Sequence, residues 1–154
     1  PLLHAALGWN YVLVTALCGS FLAQFIKVIL NLFIFHRFIP ERMWGAGGMP
    51  SSHSATVCAM VVATGRYCGV NSPIFAIAAV LSIIVMYDAM GVRYETGEQA
   101  KVLNRMFTEW MDQGIEQFQF PHGKKLKEMV GHTPIEVLTG AALGIVLGFV
   151  MPMV

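Results

Sequence analysis

GGMPSSHSA, residues 47–55, places two glycines, a proline, three serines and a histidine at the entrance of an apolar run that continues to about Val70. Glycine and proline redirect a chain, and a serine just ahead of a helical run is a favoured N-cap. The stretch therefore reads as a loop that opens a helix. The same residues also suit an anion. Glycines let backbone N–H groups approach it closely, and the N-terminus of a helix favours negative charge. Which use applies depends on what the rest of the chain delivers to this loop.

The surroundings are apolar to an unusual degree. Of 154 residues, 56% are hydrophobic and 12% charged, with mean hydropathy +0.62. A water-soluble domain carries about twice that charged fraction. Runs near the length of a bilayer crossing, about 20 residues, extend over roughly 9–35, 54–70, 73–90 and 134–154. Only helices or closed barrels satisfy their backbone in lipid, and the runs lack the alternation of barrel strands. The expected fold is all-α: one polytopic membrane bundle, 1–154, of about four transmembrane helices. The second run is the least apolar and is alternatively half-buried. The first run lacks a basic n-region and exceeds a signal-peptide core, so it reads as a span. Net charge is +1, and the basic residues do not gather on an aromatic surface, so no nucleic acid is expected. Cys18, Cys58 and Cys68 lie in or beside apolar runs without CxxC spacing and read as inert.

Between Arg93 and Gly131 the character changes. RYETGEQAKVLNRMFTEWMDQGIEQFQFPHGKKLKEMVG holds most of the charge, and Val102, Leu103, Met106, Phe107, Trp110 and Met111 recur at helical spacing. That pattern predicts an amphipathic helix on the bilayer surface within an interfacial insert of about 94–131. Phe120-Pro121-His122-Gly123 predicts a turn, and Lys124, Lys125 and Lys127 a short basic helix. With four spans, Arg37, Arg42, Arg93, Lys101, Arg105 and the three lysines share one side, against Arg66 near the other. The positive-inside rule makes the polar side cytoplasmic.

Four features converge on that side. Lys27 sits inside the first apolar run, where a lysine is costly and a candidate for function, although snorkelling to the interface is the plainer use. Ser51 or Ser52 caps the second helix, beside Gly48 and His53. Asp88 and Arg93, in VMYDAMGVR, make an ion pair or leave the guanidinium to grip phosphate bidentately. In GHTPIEVLTGAALG, residues 131–144, His132 and Glu136 are one helical turn apart, so the carboxylate can orient the imidazole. Thr133-Pro134-Ile135-Glu136 also spells a capping box with proline at the first helical position, a compatible use. Gly140, Gly144 and Gly148 continue one side of that helix and point to close packing. Two histidines with Asp88 and Glu136 offer metal donors, yet without HExxH spacing. A serine nucleophile lacks its GxSxG setting.

In order along the chain, GGMPSSHSA, VMYDAMGVR and GHTPIEV resemble hallmarks of a small divergent branch of the type-2 phosphatidic acid phosphatase and vanadium haloperoxidase superfamily. Its general signatures are K-x6-R-P, P-S-G-H and S-R-x5-H-x3-D. The resemblance implies a phosphatase without a metal cofactor, in which vanadate or phosphate occupies the site. By that likeness His132 is the nucleophile that becomes phosphohistidine, Glu136 stands for the orienting Asp, and His53 is the general acid. Lys27 and Arg93 bind phosphate, together with Gly48, Ser51, Ser52 and Arg37, and Asp88 supports Arg93. Besides Glu136 for Asp, the sequence departs from the pattern in four places. Ile34 stands where the first signature has arginine, Ser52 replaces its glycine, Val92 replaces its serine, and the whole insert separates Arg93 from His132. A hairpin in the insert would close that gap at small entropic cost.

The expected substrate is a lipid or isoprenoid phosphate at the bilayer, and a homodimer packed through small residues is the expected protein partner. Two other functional classes fit the same residues. One is a non-catalytic module that binds phosphate headgroups or a partner; the other is a small transporter whose polar path runs past Lys27, Asp88 and Arg93.

Overall fold

The computed structural model describes residues 10–35, 48–114, 120, 123–128 and 130–153, with backbone alone at 34 and 35. These residues form five helices: α1 Tyr11–Phe35, α2 Ser52–Cys68, α3 Pro73–Met90, α4 Val92–Asp112 and α5 Pro134–Val150. No strand occurs among the described residues. The helix boundaries follow from local chemistry. Asn10 accepts from the Leu13 N–H at 3.0 Å, Ser51 from Ser54 at 3.3 Å and Ser72 from Phe75 at 3.2 Å, each meeting an orphan donor of a first turn. Gly69, at φ +83°, ends α2, and Pro73 opens α3 three residues beyond Val70. Thr133 and Glu136 complete a reciprocal capping box.

α2 is the centre of the bundle, packed on α5, α1 and α3. Its buried side is made of Ser52, Ser54, Ala55, Cys58, Ala59, Ala63 and Thr64. That explains why it is the least apolar run: it faces other helices, and small side chains let their backbones approach. Gly19 of α1 lies against the Ala55 carbonyl from one side. Gly140, Gly144 and Gly148 of α5 lie against Ser51, Ala55 and Val62. The glycine stripe is therefore filled by helix packing within the chain.

The bundle buries small and polar side chains and leaves large apolar ones outside. Thr15, Lys27, Ser51, Ser54, Thr64, Ser82 and His132 are buried, whereas Phe21, Phe25, Phe33, Ile77, Ile83, Tyr87, Phe149 and Val150 are exposed. Such a wide apolar exterior far exceeds the patches tolerated in water. Two stretches, Tyr11–Phe33 and the one that opens at Pro73, are long and apolar enough to cross a bilayer, and Pro134–Val150 is a shorter apolar helix. At one end of the bundle Arg66 ties three helices together. It donates to the Tyr11 hydroxyl (2.9 Å) and to the carbonyls of Gly148, Phe149 and Met151 (2.7, 3.0 and 2.7 Å), meeting the orphan acceptors at the end of α5. The polar motifs gather at the other end.

The insert closes as a hairpin. α4 leaves α3 after the single residue Gly91, and the chain returns along α4 through residues 123–128 and 130–131. Gly123, at φ +68°, donates to the Phe120 carbonyl at 2.8 Å, where a turn is expected; Pro121 and His122 lie outside the described residues. The basic helix expected at Lys124–Lys127 does not form. Asn104, buried on α4, takes both backbone groups of Leu126, accepting its N–H at 2.8 Å and donating to its carbonyl at 2.9 Å. With those groups spoken for, the limb runs without a helical ladder. Asn104 also donates to Glu128 at 2.8 Å. Replacing Asn104 with Ala should leave the Leu126 peptide unpaired and cost about 2–4 kcal/mol locally. Hydrogen exchange at the Leu126 amide should then accelerate about 30-fold or more; unchanged protection would show that another contact holds the limb.

Candidate functional site

The returning limb delivers α5 to the C-terminal end of α3. Gly131 lies so close to the backbone of Arg93 and Tyr94 that no side chain fits there. The next residue, His132, donates its backbone N–H to the Ala89 carbonyl at 3.0 Å. Thus Arg93 and His132, 39 positions apart in sequence by subtraction of their numbers, become neighbours. α5 is docked onto the loop by a second backbone bond, from Ser51 N–H to the Glu136 carbonyl (3.0 Å).

His132 is 2% exposed, and its Nδ1 lies 3.1 Å from Glu136 Oε2. The same carboxylate oxygen accepts the Thr133 N–H at 3.1 Å, so the cap and the imidazole partner are one group. An ionised carboxylate only accepts, so Nδ1 is the donor of this pair and Nε2 is the nitrogen left for another partner. That Nε2 is buried and, among the described residues, has no hydrogen-bond partner. Buried polar atoms are nearly always paired, so an orphan aimed at a site marks a ligand position. His53, exposed in the first turn of α2, faces it edge-on with ring centroids 6.0 Å apart.

Two cations lie within electrostatic reach of His53. Lys27 is 2% exposed, which decides against snorkelling, and its stem packs along Gly48, whose φ of +90° suits glycine. Among the described residues it makes no ion pair within 4 Å. Arg93 binds Asp88 through Nε at 2.6 Å, leaving its terminal nitrogens for another ligand. His53 is within electrostatic reach of His132, Arg93, Lys27 and Asp88, and Lys27 of Glu136. At the start of α2 the N–H groups of Ser52 and His53 precede the first intrahelical bond, Ala55 to Ser51. Ser51 itself is buried and its oxygen serves as the N-cap, while also accepting from the Ser54 hydroxyl at 3.1 Å. Arg37 lies outside the described residues. Ser52 is buried at the same end.

An in-line phosphoryl group between two imidazole nitrogens needs about 7 Å from nitrogen to nitrogen, counting a near-attack contact and a hydrogen bond. The ring centroids are 6.0 Å apart. His53 is on the solvent side, and an exposed rotamer change opens the gap at little cost. Behind Glu136 lies a small cavity of about 130 Å³ lined by Gly48, Thr133 and Glu136 on one wall and Tyr94, Glu98, Lys101 and Glu128 on the other. The Glu98 carboxylate, 2.6 Å from Lys101, holds that ammonium above the usual lysine range. Among the described residues no three His, Cys, Asp or Glu side chains gather as a metal site. Asn104, Gly97 and Gly131, which bring the site together, are not prominent in the sequence; a lone Asn on the helix face opposite the apolar stripe is the sole signal.

The profile of the divergent PAP2 family matches residues 9–147. The chain is 38% identical over 148 residues to the "uncharacterized membrane protein YuiD" of Bacillus subtilis (strain 168), an alignment spanning 92% of this chain and 94% of that relative. No solved structure matches.

Proposed function

The chain belongs to the divergent PAP2 family, and from that premise we propose that it is a membrane-embedded phosphatase acting on a lipid or isoprenoid phosphate through a phosphohistidine intermediate. α1, α2, α3 and α5 cross the bilayer, and the site opens on the cytoplasmic side. α2 and α5, 17 residues each, span about 26 Å against a hydrocarbon core of about 30 Å. Both polar ends therefore sit at the headgroup boundary, where a lipid phosphate resides.

The observation that carries the reading is the buried Nε2 of His132, unpartnered among the described residues, with Glu136 on its other nitrogen and a second imidazole opposite. Lys27, Arg93 and the first N–H groups of α2 supply positive charge to the phosphoryl oxygens, the dominant catalytic effect in such transfers. His132 Nε2 attacks phosphorus, the P–O bond to the alcohol breaks, and His53 gives the leaving oxygen its proton. Water then attacks the phosphohistidine, His53 takes a water proton, and inorganic phosphate departs as the P–N bond breaks. Glu136 balances the imidazolium that forms.

The test is phosphate release by the purified protein in lipid, with chelator present, across lipid and isoprenoid phosphates. Turnover of at least one, blocked by vanadate as a mimic of the five-coordinate state, is expected. Vanadate binding with no turnover would leave a headgroup-binding module in its place.

A further inference from the structure

α4 carries three faces. Gly97, Ala100 and Asn104 are buried against the returning limb. Val92, Val102, Leu103 and Met106 are 64%, 59%, 42% and 38% exposed. At 3.6 residues per turn those four fall within roughly 100° of arc, on the side turned away from the limb. The third face holds Tyr94, Glu98 and Lys101, which wall the cavity behind Glu136. Phe107, expected on the apolar stripe, is instead engaged inside the insert, with its ring 5.5 Å from Phe120 and 5.9 Å from Trp110.

We propose that the apolar stripe of α4 docks in the acyl–headgroup boundary of the bilayer, making the hairpin a platform that holds the cavity wall at headgroup depth. Three observations select lipid as the occupant. α4 follows α3 after one residue, and the exposed side chains of α3, Ile77, Val80, Ile84 and Tyr87 among them, form an apolar surface. A helix that begins where such a surface ends starts at the membrane interface. The charges of α4 also nearly cancel, with Arg93, Lys101 and Arg105 against Glu95, Glu98, Glu109 and Asp112. The contact is therefore apolar and needs no acidic partner protein. Exposed Lys124, Lys125 and Lys127 on the limb add attraction to anionic headgroups. This surface does not depend on catalysis and stands or falls apart from the phosphatase reading.

The experiment places nitroxide labels singly at Leu103, Met106, Lys101 and Arg105 in the full chain with its cysteines replaced, reconstituted in phosphatidylcholine–phosphatidylglycerol vesicles. Accessibility to oxygen relative to a water-soluble nickel chelate should be several-fold higher at 103 and 106 than at 101 and 105. Equal, water-like ratios at all four positions would overturn the proposal. Dipolar broadening between labels of two chains at 103 and 106 would overturn it too, in favour of a second copy on that face.

Discussion

Replacing His132 with Ala should lower phosphate release by about 10⁴-fold or more, the usual consequence of deleting a covalent nucleophile. The fold should survive, because the tie of this residue to α3 is through its backbone N–H to Ala89 and the capping box next to it is untouched. Glu136→Gln tests the partner. A glutamine oxygen still accepts from Thr133 N–H, so the cap persists, but the imidazole loses its anionic orienter, and turnover should fall about 10²–10⁴-fold. His53→Ala separates the two half-reactions. With an activated ester such as nitrophenyl phosphate, whose leaving group needs no proton, the enzyme should still take up phosphate. Hydrolysis of the intermediate then slows, and acid-labile, base-stable phosphate accumulates on the protein. Undiminished turnover by the His132→Ala protein would remove it as nucleophile, and an intermediate of the opposite acid–base stability would place phosphate elsewhere.

Local chemistry made part of this site readable in advance. The cap at Ser51, the capping box at Thr133 and Glu136, and the one-turn spacing of His132 and Glu136 involve residues within four positions of each other, so their geometry follows from helix periodicity alone. The longest apolar runs were equally plain. Less plain was α2, whose low hydropathy results from its central place between glycine faces. Lys27 offered two fates, and the choice between them was made by Gly48, 21 positions later, which packs along its stem. The basic residues at 124–127 suggest a helix only if Leu126 keeps its backbone groups for its own turn; Asn104 takes them. Arg66 gave no sign that it gathers the carbonyls of α5. In each case a contact distant in sequence outweighed a local preference, and those contacts carry no periodic signature. The broken spacing between Arg93 and His132 belongs here as well. The insert restores their proximity because Gly97 and Gly131 permit backbone approach, at Glu128 and Tyr94 respectively, that a Cβ would block.

Gly144→Leu should be the most damaging structural change outside the site. A Cβ at position 144 would meet the Ala55 carbonyl, and Gly19 of α1 packs close to that same carbonyl. α2 is already packed on α1, so α5 must move outward. Overpacking costs about 1–3 kcal/mol where side chains yield; here backbone is met, so a loss of about 3 kcal/mol or more is expected. The displacement should also reach the chemistry. One turn closer to the site, Gly140 lies on Ser51, whose N–H holds the Glu136 carbonyl. Lifting α5 would pull Glu136 and His132 away from His53 and the start of α2. Ala142→Leu provides the control, since residue 142 is exposed on the outer face of the same helix and ends in the same side chain, gaining one carbon fewer than Gly144→Leu, without a clash. The Gly144→Leu protein should melt well below wild type in detergent and lose vanadate affinity in proportion, whereas Ala142→Leu should match wild type in both. If the two variants melt together, small-residue packing is not what joins α5 to α2, and the docking of His132 needs another cause.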